Sequence, residues 1–276
     1  MSAEVVMSGA DTNGVAGAAR WVSGLLTLRR EGDVFVGRSS SGPGERLFGG
    51  TVAAQALAAA GGTVDSSKAP QSLHAYFVGA GRYGVDVEYH VERTRDGKSF
   101  DTRRVRARQA GSPILEMLTS FHRPEPGADW QAAAATALKF EDAVPKSPSA
   151  VFDELVEIRT TEDDPSAFAL PPFWIRITAP VASDPLARAC ILTFLSDFGP
   201  LPVARPPGTP LRPDAGYTAS LDHSVWFHRP FDPQRWHRYE VKSLTNSDSR
   251  GLVAGAFYDR SGALIASTSQ EALWRL

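Results

Sequence analysis

A chain of 276 residues, 42% hydrophobic and 22% charged, is long enough for one large domain or two small ones with a sizeable core. Its net charge of -2 gives nucleic acid or an anionic membrane no electrostatic hold, and no apolar run approaches the ~20 residues that span a bilayer. The single cysteine, Cys190, excludes an internal disulfide and fits a reducing compartment.

Met1 to Arg20 has no basic segment followed by an apolar one, so it is no secretory signal. Its small and polar residues read as a flexible tail over 1–20. Val22 to Arg30 and Val34 to Arg38 read as two short strands around the turn Glu31-Gly32-Asp33. Leu47 to Val64 opens with paired glycines and is dominated by alanine and leucine. This predicts a buried helix from about Gly50 to Ala60, covered on all sides because it has no polar face.

Strand patterns follow. Ser72 to Val78 is the first, and Val85 to Thr94 alternates with Val85, Val87, Tyr89 and Val91 on one face. Asp96-Gly97 signals a hairpin into Phe100–Gln109, and Ala110-Gly111 separates that strand from Ile114–His122. Pro124 to Leu170 carries scattered Pro, Asp and Glu with one short helix over 131–138, and reads as a surface connector.

The first pattern then returns. Phe173–Thr178 is a strand. Asp184 to Leu195 is a helix with Asp184 as N-cap and Pro185 in the first turn. Ser220 to His228 is an aromatic-rich strand ended by Pro230, with Ser220, Asp222, Ser224 and Trp226 on one face as the wall of a site. Arg238–Leu244, Leu252–Tyr258 and Ala263–Trp274 complete the set. Phe77 lies 34 residues before Gly111, and Phe227 lies 35 before Gly262. An antiparallel sheet wrapped around a central helix, twice in tandem, is an α+β double hotdog. The expected division is a tail over 1–20, a first repeat over 21–123, the connector over 124–170 and a second repeat over 171–276.

Six motifs carry a resemblance. They are Phe48-Gly-Gly-Thr-Val-Ala-Ala-Gln-Ala-Leu, Ser72-Leu-His-Ala-Tyr-Phe, Arg95-Asp-Gly-Lys-Ser-Phe, Leu195-Ser-Asp-Phe, Asp222-His-Ser-Val-Trp-Phe-His-Arg-Pro-Phe and Ala266-Ser-Thr-Ser-Gln-Glu. In this order, over roughly Val22 to Arg275, the chain resembles the type II acyl-CoA thioesterases. That resemblance implies a double hotdog hydrolysing acyl-CoA to CoA and a fatty acid. It also implies an attacking water held by Asp197, Ser220 and Gln270, with Ser220 where the family more often has Thr.

The residue types suit this chemistry. A carboxylate can take a proton from water while a hydroxyl and an amide orient it, and a thioester needs no metal or covalent nucleophile. Gly49 and Gly50, at the start of the first helix, are candidate oxyanion donors through their N–H groups. No cofactor and no metal are expected. His223 and His228, an odd number apart on one strand, face opposite ways and cannot share a ligand, so structural roles are expected for them. Cys190 reads as core. A Gly-x-Ser-x-Gly elbow, a phosphate loop and a dinucleotide fingerprint are all absent from the sequence.

Two other readings stand beside the thioesterase. One is a non-catalytic acyl-CoA-binding hotdog, against which the intact set of three counts. The other is a hotdog enoyl-CoA hydratase, for which Asp184 is suitably placed but the Asn and His are missing. The expected partner is acyl-CoA, without nucleic acid or membrane insertion, and the expected assembly a homodimer or higher homo-oligomer. Trp274 stands where a peroxisomal address needs a small residue, so the expected location is the bacterial cytoplasm.

Overall fold

The computed structural model of the chain describes residues 9–39, 46–131, 138–147, 152–161, 172–209 and 217–275. Its first element corrects the sequence reading: Gly9–Leu26 is a helix, α1, where a tail and then a strand were expected. Ala18, Trp21, Val22, Leu25 and Leu26 recur with helical spacing, and Ala18, Val22 and Leu25 are buried. The run Val22 to Leu28 is apolar enough to imitate a strand, but only Arg29–Glu31 (β1) is extended, paired with Val34–Gly37 (β2) across the expected turn.

The buried helix is present as α2, Gly49–Gly61, with Ala53, Ala54, Ala56, Leu57, Ala59 and Ala60 fully enclosed. Strands β3 (Ala69–Phe77), β4 (Val87–Asp96), β5 (Phe100–Gln109) and β6 (Ser112–His122) follow. Val85 lies outside β4 and is exposed, while Val87, Tyr89 and Val91 face inward as expected. Ala110 and Gly111 both take positive φ, 46° and 80°, which closes the tight β5–β6 turn.

The connector is more than a surface link. It supplies β7 (Val144–Lys146) and β8 (Val156–Thr160), and β8 pairs with β9 (Phe173–Ile177). Val156 and Thr160 are buried at the two ends of β8, which gives this stretch a hold on the core. The short helix expected at 131–138 falls almost wholly outside the described residues.

Helix α3, Pro185–Leu195, begins as predicted, with the Asp184 carboxylate accepting the Ala187 N–H at 2.8 Å. A short α4 (Pro200–Val203) follows, then β10 (Tyr217–Ser220), β11 (Asp222–Phe227), β12 (His237–Ser247), β13 (Arg250–Tyr258) and β14 (Leu264–Arg275). Contrary to the expectation of no such run, the stretch Pro185–Val203, 19 residues, is long and apolar enough to cross a membrane, but most of it is buried inside the protein. Its apolarity serves the core.

The strands form one sheet in the order β1-β2-β4-β5-β6-β3-β11-β14-β13-β12-β9-β8-β7. The halves meet where β3 pairs with β11, and His74 opposes Ser224 at that seam. Inside the curl, α2 and α3 pack antiparallel. A Cβ on Gly50 would lie 2.8 Å from the Phe194 carbonyl oxygen at one end, and one on Gly61 would lie 2.4 Å from Leu186 at the other. The architecture is the double hotdog expected from the repeat.

Candidate active site

The site begins with a one-residue offset in the sheet. Ser220 opposes Ala272, yet Ser224 opposes Ser269, so four steps on one strand match three on the other. The bulge sits at Leu221, whose N–H bonds the Glu271 carbonyl and whose carbonyl accepts the Phe77 N–H. The Asp222 carboxylate accepts the Glu271 N–H at 2.7 Å and pins the kink. Bulges re-aim side chains beside functional sites.

This bulge corrects the expected continuous strand and its polar face. Ser220 lines a cleft, but Ser224 and Trp226 contact His74 on the side of the sheet away from the helices. Across the bulge the inward position passes to His223, which is fully buried.

Gln270 joins these pieces. Its Nε2 donates to Ser220 Oγ at 2.7 Å, and its amide favours the charged form of the Asp197 carboxylate. Its Oε1 lies 2.6 Å from His223 Nδ1. Asp197 follows the α3 C-cap Ser196 and accepts the Gly50 N–H at 2.8 Å on Oδ2. The structure thus brings Asp197, Ser220 and Gln270 together.

An Asp just past a helix C-terminus faces that helix's negative end. Here the positive N-terminus of α2 meets it instead. Burial still dominates and pushes the Asp197 carboxyl up to about 6, against the opposing bonds from Gly50 and Gln270. A carboxylate with that pKa is a base at neutral pH that can hold a proton transiently.

Gly50 departs from its expected role. Its N–H is spent on Asp197, so of the two glycines only Gly49, the first residue of α2, stays a candidate oxyanion donor. No carbonyl precedes Gly49 within the helix to accept its N–H.

Sequence reasoning gave His223 no part beyond structure. Burial drives its pKa down to about 4, so the ring is neutral. Gln270 Oε1 can only accept, so Nδ1 carries the proton, and Nε2 lies 2.7 Å from Ser196 Oγ. Tyr239 donates to the Ser196 carbonyl at 2.9 Å. The resulting chain of contacts, Tyr239–Ser196–His223–Gln270, sets which way the Gln270 amide points. The signal available in the sequence was the odd spacing itself, which puts His223 and His228 on opposite faces; His228 is exposed.

The cleft is about 510 Å³ and is lined by Asp197, Ser220 and Gly49 on one side and by apolar residues such as Val52, Phe77 and Leu201 on the other. Phe48 and Phe152 also line it and stack with Phe194 and Phe198 at ring-centroid distances of 5.2–5.4 Å. Trp21 from α1 packs behind, 4.5 Å from Phe194. Polar groups therefore meet an apolar, aromatic-ended slot. Asp184, the residue a hydratase would need, is occupied as the α3 cap.

Known proteins resemble this chain along most of its length. The family pattern described as "Acyl-CoA thioesterase" matches residues 169–273, and "Acyl-CoA thioesterase N-terminal domain" matches 38–122. Acyl-coenzyme A thioesterase 8 of Homo sapiens is 32% identical over 277 residues, covering 88% of this chain and 85% of that protein. Acyl-CoA thioesterase 2 of Haemophilus influenzae is 30% identical over 273 residues, covering 91% and 96%. The crystal structure of an acyl-CoA thioesterase II, TesB2, from Mycobacterium marinum superposes with a TM-score of 0.76 at 32% identity, covering 92% and 97%. With both halves matched and the similarity running nearly end to end, the chain belongs to the type II acyl-CoA thioesterase family.

Proposed function

We propose that this protein hydrolyses medium- to long-chain acyl-CoA to free fatty acid and CoA, using a water held by Asp197, Ser220 and Gln270. The observation that carries the reading is that the buried Asp197 and Ser220, which accepts the Gln270 amide at 2.7 Å, sit together at the wall of an apolar cleft. Asp197 takes a proton from the water as its oxygen bonds to the thioester carbonyl carbon. Ser220 and Gln270 orient the water. Negative charge develops on the carbonyl oxygen, where the Gly49 N–H and the α2 dipole are aimed. The C–S bond then breaks, and the proton on Asp197 passes to the departing thiolate, which regenerates the base.

The test is thiol release from a panel of acyl-CoAs by the purified chain. Turnover is expected without added metal and unchanged by a chelator. Loss of activity on chelation, restored by zinc, would sink the water-only mechanism. Binding of acyl-CoA with no release of thiol would support a non-catalytic binder instead.

A further inference from the structure

The duplication leaves a second cleft. Because His74 and Ser224 face each other across the seam, each β3 residue has its counterpart 150 positions on, in β10, β11 or the Leu221 bulge between them. Both halves carry the same bulge: in the first, Pro70 opposes Phe121 but Ser72 opposes Ser120, an offset at Gln71 that mirrors Leu221. Around the counterpart of the catalytic cleft, a cleft of about 430 Å³ persists.

Its chemistry is gone. Pro70 stands for Ser220. Leu73 opposes Thr119, so these two stand for His223 and Gln270. Thr63, next after the α2 C-cap, stands for Asp197 and is held by Arg103, whose Nε donates to its Oγ1 at 2.8 Å. Pro185 stands for Gly49 and has no N–H to offer. The cleft has neither base, amide nor oxyanion donor at these positions. Its walls offer Pro185, Phe227 and Phe231 as apolar surface, with Arg188 beside them to attract an amphiphilic anion; Arg229 is paired with Asp129, and His122 with Glu125, which also lines the cleft.

We propose that this second cleft binds an intact acyl-CoA and does not hydrolyse it, so that one chain holds two ligands and turns over one. The proposal rests on the acyl-CoA reading of the catalytic cleft. Calorimetric titration with a nonhydrolysable S-hexadecyl-CoA thioether should show two molecules per chain. Ser183→Trp, which fills the exposed edge of the second cleft, and Arg188→Glu, which reverses its charge, should each weaken the second event at least tenfold. Thiol release at low substrate should be unchanged in both. One molecule per chain in the unmodified protein, or two of unaltered affinity in both variants, would overturn the proposal. If thiol release is seen while only one molecule binds, this inference fails alone. If two molecules bind and no thiol is released, the hydrolytic reading fails instead.

Discussion

Asp197 is both the proposed base and a strain on the fold. A carboxyl whose folded pKa is raised stabilises the fold in its protonated form; that contribution is complete below pH 3.8 and lost as pH rises through about 6. At pH 8 the buried carboxylate therefore weighs against folding, by roughly 3 kcal/mol for the shift cited. Asp197→Asn keeps the shape and removes the charge. Its rate should fall by about 10²–10⁴-fold, the usual worth of a general base. Its stability in urea should exceed the unmodified protein's at pH 8, with the gap closing as pH falls through 6. A less stable Asp197→Asn at pH 8 would mean that the carboxylate is not ionised in a poorly solvated place. The kcat of the unmodified enzyme should rise with pH through about 6. His223 acts through Gln270 and is a positioning residue. His223→Phe removes the only donor to Gln270 Oε1 among the described residues, so kcat should drop by about 10–10²-fold with KM little changed. Equal losses in both constants would point to general damage instead. Asp197, Ser220 and Gln270 were legible through flanking motifs, whereas His223 gains meaning only from its neighbours in space.

At the level of elements, the two helices decide whether the site exists. Gly50 is where α2 crosses the end of α3, with space for no more than a hydrogen. Gly50→Ala places a methyl 2.8 Å from the Phe194 carbonyl oxygen and 3.0 Å from Asp197 Cβ, so the helices must part. The expected result is a loss of about 1–3 kcal/mol in stability. Activity should fall by about 10²-fold through misplacement of the base. Full activity with unchanged melting would mean that the close approach is unimportant. The helices and central strands were legible because alternation, paired glycines and the Asp184-Pro185 start act locally. α1 was missed because Gly14, Gly17 and Gly24 suggest a tail, while Trp21, Val22, Leu25 and Leu26 satisfy strand and helix patterns alike. β8 was missed because five residues between polar loops carry too short a pattern. The Leu221 bulge has no glycine or proline to announce it; it is set by hydrogen bonds from β14 and β3.

For the whole molecule, duplication was legible as matched spacing, since each repeat must build the same sheet around the same helix. The proposal that the second copy carries the chemistry rests on single differences such as Thr119 against Gln270. What spacing could not show is that the proposed centre draws on both repeats. Gly50 comes from the first and Asp197 from the second, and one hydrogen bond of 2.8 Å joins them. The Gly50–Asp197 contact thereby makes turnover a gauge of how firmly the halves are seated. In rising urea, thiol release should fade at a lower concentration than the far-ultraviolet circular dichroism signal, because a slight parting of α2 from α3 disarms the base while the sheet remains. Coincident midpoints would show instead that the halves separate and unfold in one cooperative event.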